Sequence, residues 1–128
     1  MLLPVTALYG AILTLILIAL AFNVTLHRRN LRVGLGDGSN PVMLRMIRIH
    51  GNAAEYIPIA ILLMVVYELN GGAHTALHLC GGALILGRVL HAAGLWGSDG
   101  QSPGRALGQV LTWLTILALA ALNLSKVL

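Results

Sequence analysis

Apolar positions fall into four long stretches, separated by three short polar breaks. Met1 to Leu26 holds no charged side chain, and Thr14 is the one polar residue of its centre, AILTLILIALAF. Crossing a bilayer as a helix takes about 20 mostly apolar residues. A cleaved signal peptide opens on a basic segment and has a shorter apolar core. This stretch opens MLLPV, so the pattern predicts a retained transmembrane helix. Ala106 to Ser125, ALGQVLTWLTILALAALNLS, predicts a second clear span. Pro41 to Asn70 carries Arg45, Arg48 and Glu55 before IPIAILLMVVY, as expected of a helix that starts in the interface and enters the bilayer. Gly72 to about Leu95 is rich in small residues (LCGGALILG) and bears Arg88 towards its far end. Small residues at such spacing let helices approach closely, which suits a bundle.

The breaks are turn-forming. HRRNLRVGLGDGSNP (His27 to Pro41) ends in a Ser-Asn-Pro able to cap the following helix. NGG at 70–72 reads as a short turn, and WGSDGQSPG (Trp96 to Gly104) as a loop. The expected fold is all-α and integral to a membrane: one four-helix bundle domain spanning residues 1–128.

Composition excludes the other classes. Of 128 residues, 58% are hydrophobic and 9% charged, with mean hydropathy +0.88. A soluble domain carries about 25% charged residues. Cys80 stands alone, so neither an intrachain disulfide nor a thiolate cluster is available. The net charge of +4 sits between the apolar runs, which points to the membrane surface and away from nucleic acid. Arg28, Arg29 and Arg32 lie in the first loop, Arg45 and Arg48 follow it, and Arg88 and Arg105 flank the third. Basic residues favour the cytoplasmic side, so loops one and three are expected there and both termini outside.

Ionisable groups at membrane depth are costly, so each is a candidate site. The densest set is RMIRIHGNAAEYIP. Arg48, Asn52 and Glu55 fall at i, i+4 and i+7 on one helical stripe, with Arg45 and Tyr56 at its margins. A guanidinium, an amide and a carboxylate within about two turns match a zwitterionic ligand, since Arg pairs bidentately with carboxylate and Glu with ammonium. The same residues serve equally as interhelical ion-pair glue or as snorkelling interface groups, and spacing leaves the two readings open. A transporter is disfavoured, because the charges gather at one membrane face and not at the midplane. His74 and His78 have metal-binding spacing, but a metal takes three or four ligands and none is near in sequence. Glu68, beside the outer turn, is expected to reach water. Cys80 reads as packing, Asn23 and Thr14 as interhelical hydrogen-bonding groups, Trp96 as an interfacial anchor, and Trp113 equally as an anchor or as packing.

The string Arg48-x-x-x-Asn52-x-x-Glu55-Tyr56-x-Pro58 resembles the second-helix motif of the MAPEG family, the membrane-associated proteins in eicosanoid and glutathione metabolism. VGLGDGSNPVMLRMIRIHGNAAEYIP looks like its short bacterial branch. Gly87-Arg88-Val89-Leu90-His91 and Pro103-Gly104-Arg105-Ala106-Leu107 are similar to microsomal glutathione transferases. The resemblance implies a homotrimer in a bacterial inner membrane, with glutathione as cosubstrate, bound between subunits near the cytoplasmic face. Membrane lipid surrounds it, and an apolar small molecule or lipid is the second substrate. By motif position it assigns Arg48, Asn52, Glu55 and Tyr56 to the glutathione peptide, His50 to a contact from the neighbouring subunit, and Arg28 and Arg29 to the lining of the site. Arg105 and Arg88 are the catalytic candidates. A thiol with a pKa of about 8.5 is mostly protonated at neutral pH, and a nearby arginine favours the nucleophilic thiolate. The expected activity is that of a glutathione transferase or peroxidase acting on apolar electrophiles or lipid hydroperoxides; the alternative is a non-catalytic binder of glutathione or lipid. Helix three lacks the tyrosines of the leukotriene-C synthase branch, so an eicosanoid-specific site is not expected.

Overall fold

A computed structural model describes residues 2–97 and 102–128. Four helices make up nearly all of them: α1 (Pro4–Leu31), α2 (Pro41–Leu69), α3 (His74–Trp96) and α4 (Pro103–Leu124). All four are long and apolar enough to cross a membrane, and no strand occurs among the described residues. The breaks fall where the polar runs put them, although α1 continues beyond Leu26 to Leu31 and so carries Arg28 and Arg29 in its last turn. Basic side chains there oppose the negative end of the helix dipole. Ser98 to Gln101, the middle of the third loop, lie outside the described residues.

Each boundary has a local cause. Asn40 caps α2 as the Ser-Asn-Pro pattern predicts, its Oδ1 accepting from the N–H groups of Val42 (2.9 Å) and Met43 (3.2 Å). Ser102 caps α4 by accepting from the N–H of Arg105 at 3.2 Å, and its hydroxyl donates to the Gly94 carbonyl at 2.6 Å. That second bond ties the start of α4 to the end of α3. The turn between α2 and α3 places Gly71 at φ +67°, where a glycine is favoured, and Lys126 donates to its carbonyl at 2.9 Å.

Helices α2 and α3 touch every other helix, whereas α1 and α4 flank them without meeting. The tightest pairing is α3 with α4, and glycines permit it. A Cβ on Gly108 would run into the backbone of His91, and one on Gly94 into the backbone of Arg105. Methionines and aliphatic residues fill the centre, including Leu13, Met43, Met46, Met64, Leu77 and Leu84. Large apolar side chains such as Leu15, Phe22, Leu62, Leu114 and Leu117 face outward, as lipid requires of a bundle exterior. Asn23 makes its expected cross-helix contact, donating to the sulfur of Met46 at 2.9 Å. Thr14 instead faces outward on α1.

Glu68 departs from expectation. It is only 6% exposed, and its carboxylate accepts from the N–H groups of Val5 (3.0 Å) and Thr6 (2.8 Å). The residue before α1, Leu3, offers no side-chain cap, so α2 supplies one across the bundle. Unbonded N–H groups open a helix and its dipole is positive there, so a carboxylate satisfies both. His74 stands 3.6 Å from the same carboxylate, and His78 shares a 3.2 Å hydrogen bond with Tyr9. Replacing Glu68 with Ala leaves two buried donors unbonded. Thermal unfolding in detergent should show a loss of about 1–3 kcal/mol, with Glu68→Gln retaining part of it; equal loss in both variants would refute the capping role.

Candidate functional site

The charged stripe faces a cleft at the end of the bundle that carries loops one and three. Its volume is about 550 Å³. One wall is α2, with Arg48, Asn52, Glu55 and Tyr56; the other combines His91 of α3 with Arg105, Gln109 and Trp113 of α4 and the capping Ser102. The α2 residues reach one wall because they recur at three- and four-residue intervals. Arg105, Gln109 and Trp113 recur every four residues and form the matching face of α4.

Arg48 and Glu55 lie 4.0 Å apart, with side chains 58% and 54% exposed. Both belong to α2, so the pair joins no two helices. Within one chain this pair therefore does not serve as interhelical glue, and its exposure also fits the snorkelling reading. An exposed pair at this distance contributes at most about 1 kcal/mol to stability, and both charges stay open to a ligand.

Arg88 occupies a different place. It is 2% exposed and lies beneath the cleft, outside its lining. Its Nη1 donates to Asn52 Oδ1 at 2.5 Å. Nε and Nη2 donate to Thr112 Oγ1 at 3.1 and 2.5 Å, and Nη2 also reaches the Gly108 carbonyl at 3.5 Å. The Thr112 hydroxyl in turn donates to the Gly108 carbonyl at 2.8 Å. The guanidinium carbon sits 5.7 Å from the centre of the Tyr56 ring, within cation–π range. One buried side chain of α3 thus holds residues of α2 and α4. Because arginine only donates, the Asn52 oxygen must face it, which leaves the Asn52 NH2 as the group free to serve a ligand.

The remaining sequence candidates are elsewhere. Arg28 and Arg29 line a separate shallow cleft of about 350 Å³ with Arg32, and Arg28 donates to the Gly36 carbonyl at 2.8 Å. His50 is half-buried on α2 and does not line the main cleft. Sequence reasoning overlooked His91, Ser102 and Gln109, and read Trp113 as an anchor or as packing. The four-residue repeat on α4 was the available signal, but glutamine and tryptophan in an apolar span look like ordinary bundle residues. His91, 5% exposed, follows Arg88 by three residues and so shares its side of α3.

The model of the MAPEG family matches residues 6–125. The chain belongs to the MAPEG family. It is also 39% identical over 126 residues to inner membrane protein YecN of Escherichia coli strain K12, covering 94% of this chain and 90% of that protein. YecN of E. coli O6:H1 strain CFT073 matches to the same extent. For this MAPEG protein the cleft's organisation rests on the Arg88 hydrogen bonds. Arg88→Met and Asn52→Leu should each lower stability by about 1–3 kcal/mol, and the double variant should lose less than the sum, because both break one bond. Strict additivity in thermal unfolding would show that the bond does not couple α2 to α3.

Proposed function

We propose that the cleft binds glutathione and that the protein acts as a membrane glutathione transferase or peroxidase. The observation that carries this is the α2 wall, where an exposed guanidinium and an exposed carboxylate stand 4.0 Å apart beside an amide donor and a tyrosine. Glutathione has two carboxylates, an ammonium group and two peptide units. Arg48 suits a carboxylate, Glu55 the ammonium, and Asn52 and Tyr56 the peptide, each by charge-assisted or ordinary hydrogen bonding. Family membership favours the same ligand.

Arg105 is the arginine we assign to the thiol. It lines the α4 wall, whereas the donors of Arg88 are engaged by Asn52, Thr112 and Gly108. A guanidinium beside the sulfur favours the thiolate, the nucleophilic form. An apolar electrophile or lipid hydroperoxide would then reach it from the bilayer. We further propose a homotrimer, in which His50, Arg28 and Arg29, apart from the cleft within one chain, reach the site of a neighbouring subunit. The setting is a bacterial inner membrane, as the name of YecN states for that relative. Both termini are periplasmic and the cleft is near the cytoplasmic face, by the arginine bias of the loops.

Detergent-purified protein should conjugate glutathione to a generic aryl halide. Saturable glutathione binding without turnover would select a binding protein in place of an enzyme. Arg48→Ala should weaken glutathione binding by about 1.5–3 kcal/mol, the range for a hydrogen bond to a charged group. Its unfolding temperature should barely move, since the Arg48 pair is solvent-exposed. Unchanged affinity would remove Arg48 from the site.

Topology is tested separately. A cysteine added at either terminus should react with a membrane-impermeant maleimide from the periplasmic side, while Cys80 stays protected in the core. Reaction from the cytoplasmic side alone would invert the orientation and move the cleft to the other face.

A further inference from the structure

Arg28, Arg29 and Arg32 crowd the end of α1 around the shallow second cleft, which Val33 and Gly34 also line. Like charges so close repel one another. The negative end of the α1 dipole, about half a charge, offsets only part of three guanidiniums. Asp37, the one acid of this loop, spends Oδ1 on the N–H of Ser39 at 2.9 Å. No ion pair joins it to the three arginines among the described residues. Arg28 is turned onto the Val33 and Gly36 carbonyls, whereas Arg29 and Arg32 are exposed.

Arg32 also holds a backbone conformation that suits glycine better. Its φ of +56° and ψ of +37° are left-handed, just past the end of α1. A Cβ is penalised there, and glycine is the usual occupant. The helix is closed by backbone bonds, from the N–H of Arg32 to the Arg29 carbonyl and from that of Val33 to the Arg28 carbonyl. The Arg32 side chain takes no part in that closure, so its retention at a strained position points to another task. The proposed function gives Arg28 and Arg29 a place in a neighbouring subunit's site; it gives Arg32 none.

The cleft lies at the level of lipid headgroups, because the span preceding it is uncharged back to the start of α1. Leu31 and Leu35 beside it are 38% and 91% exposed, and lipid covers such side chains. A phosphodiester meets the guanidinium fork bidentately. A zwitterionic headgroup would bring a further cation into a cluster short of negative charge. We propose that Arg32 holds the phosphate of an anionic phospholipid in this cleft, with Arg28 and Arg29 adding positive potential and Leu35 seated in the bilayer. Glutathione binding is not needed for this.

Native mass spectrometry of the detergent-solubilised protein tests it, with phosphatidylglycerol or phosphatidylcholine of the same acyl chains added at equal concentration. Phosphatidylglycerol should be held about tenfold more tightly. Arg32→Gly should cut that preference about fivefold, the worth of one basic side chain at an anionic surface. The same variant should unfold at or above the temperature of the parent, since glycine relieves the left-handed strain. Lys126→Gln, which removes a charge at the other end of the bundle, should keep the preference. Equal retention of the two lipids, equal losses in both variants, or displacement of phosphatidylglycerol by the same concentration of inorganic phosphate would overturn the proposal. Glutathione is titrated by calorimetry into the parent and Arg32→Gly proteins. Weaker glutathione binding in the variant would assign the cleft to the glutathione site and overturn the lipid reading. Failure of glutathione to bind either protein would refute the proposed function and leave the lipid preference standing.

Discussion

A guanidinium can be taken into an apolar bundle only when its donors find acceptors and its charge finds polarizable company. Arg88 has both, in Asn52 of α2, Thr112 and the Gly108 carbonyl of α4, and the ring of Tyr56. Removing one member would leave the others unbonded in a medium with little water. The network therefore fixes where α2, α3 and α4 stand relative to one another at the end that holds the cleft. It also turns Asn52 so that its amide donors remain free, and sets the floor on which the exposed charges of Arg48, Glu55 and Arg105 stand.

The network needs close backbone approach, and small residues supply it. Gly87 faces Thr112, Gly108 faces His91, and Gly94 faces the start of α4. Without a hydrophobic force to drive helices together inside lipid, such packing and interhelical hydrogen bonds hold a bundle. The opposite end is fastened by a different device, the Glu68 carboxylate capping α1. One end of the bundle is thus closed by a carboxylate satisfied within the protein. The other end is left with charges that face an open cleft.

Much of this was legible in the chain. Apolar run length determines the four spans, and turn chemistry at Asn40 and Gly71 marks boundaries between them. The Arg48, Asn52, Glu55 and Tyr56 stripe was legible because helical periodicity puts those positions on one wall. Periodicity does not say whether an ionisable group is buried or wet, because that depends on the helix packed against it. Arg88 and Glu68 were misplaced for this reason: one is a buried tether read as a catalytic candidate, the other a buried cap read as solvated.

In the proposed function the charged wall of the cleft recognises the two ends of glutathione. Calorimetric titration of glutathione and of its diethyl ester tests this most directly, since the ester keeps the peptide, thiol and ammonium but masks both carboxylates. Saturable binding of glutathione is expected, with affinity for the ester weaker by about tenfold or more, from loss of charge-assisted bonds to Arg48 and its neighbours. Equal affinities for the two compounds, or no binding of glutathione, would contradict it.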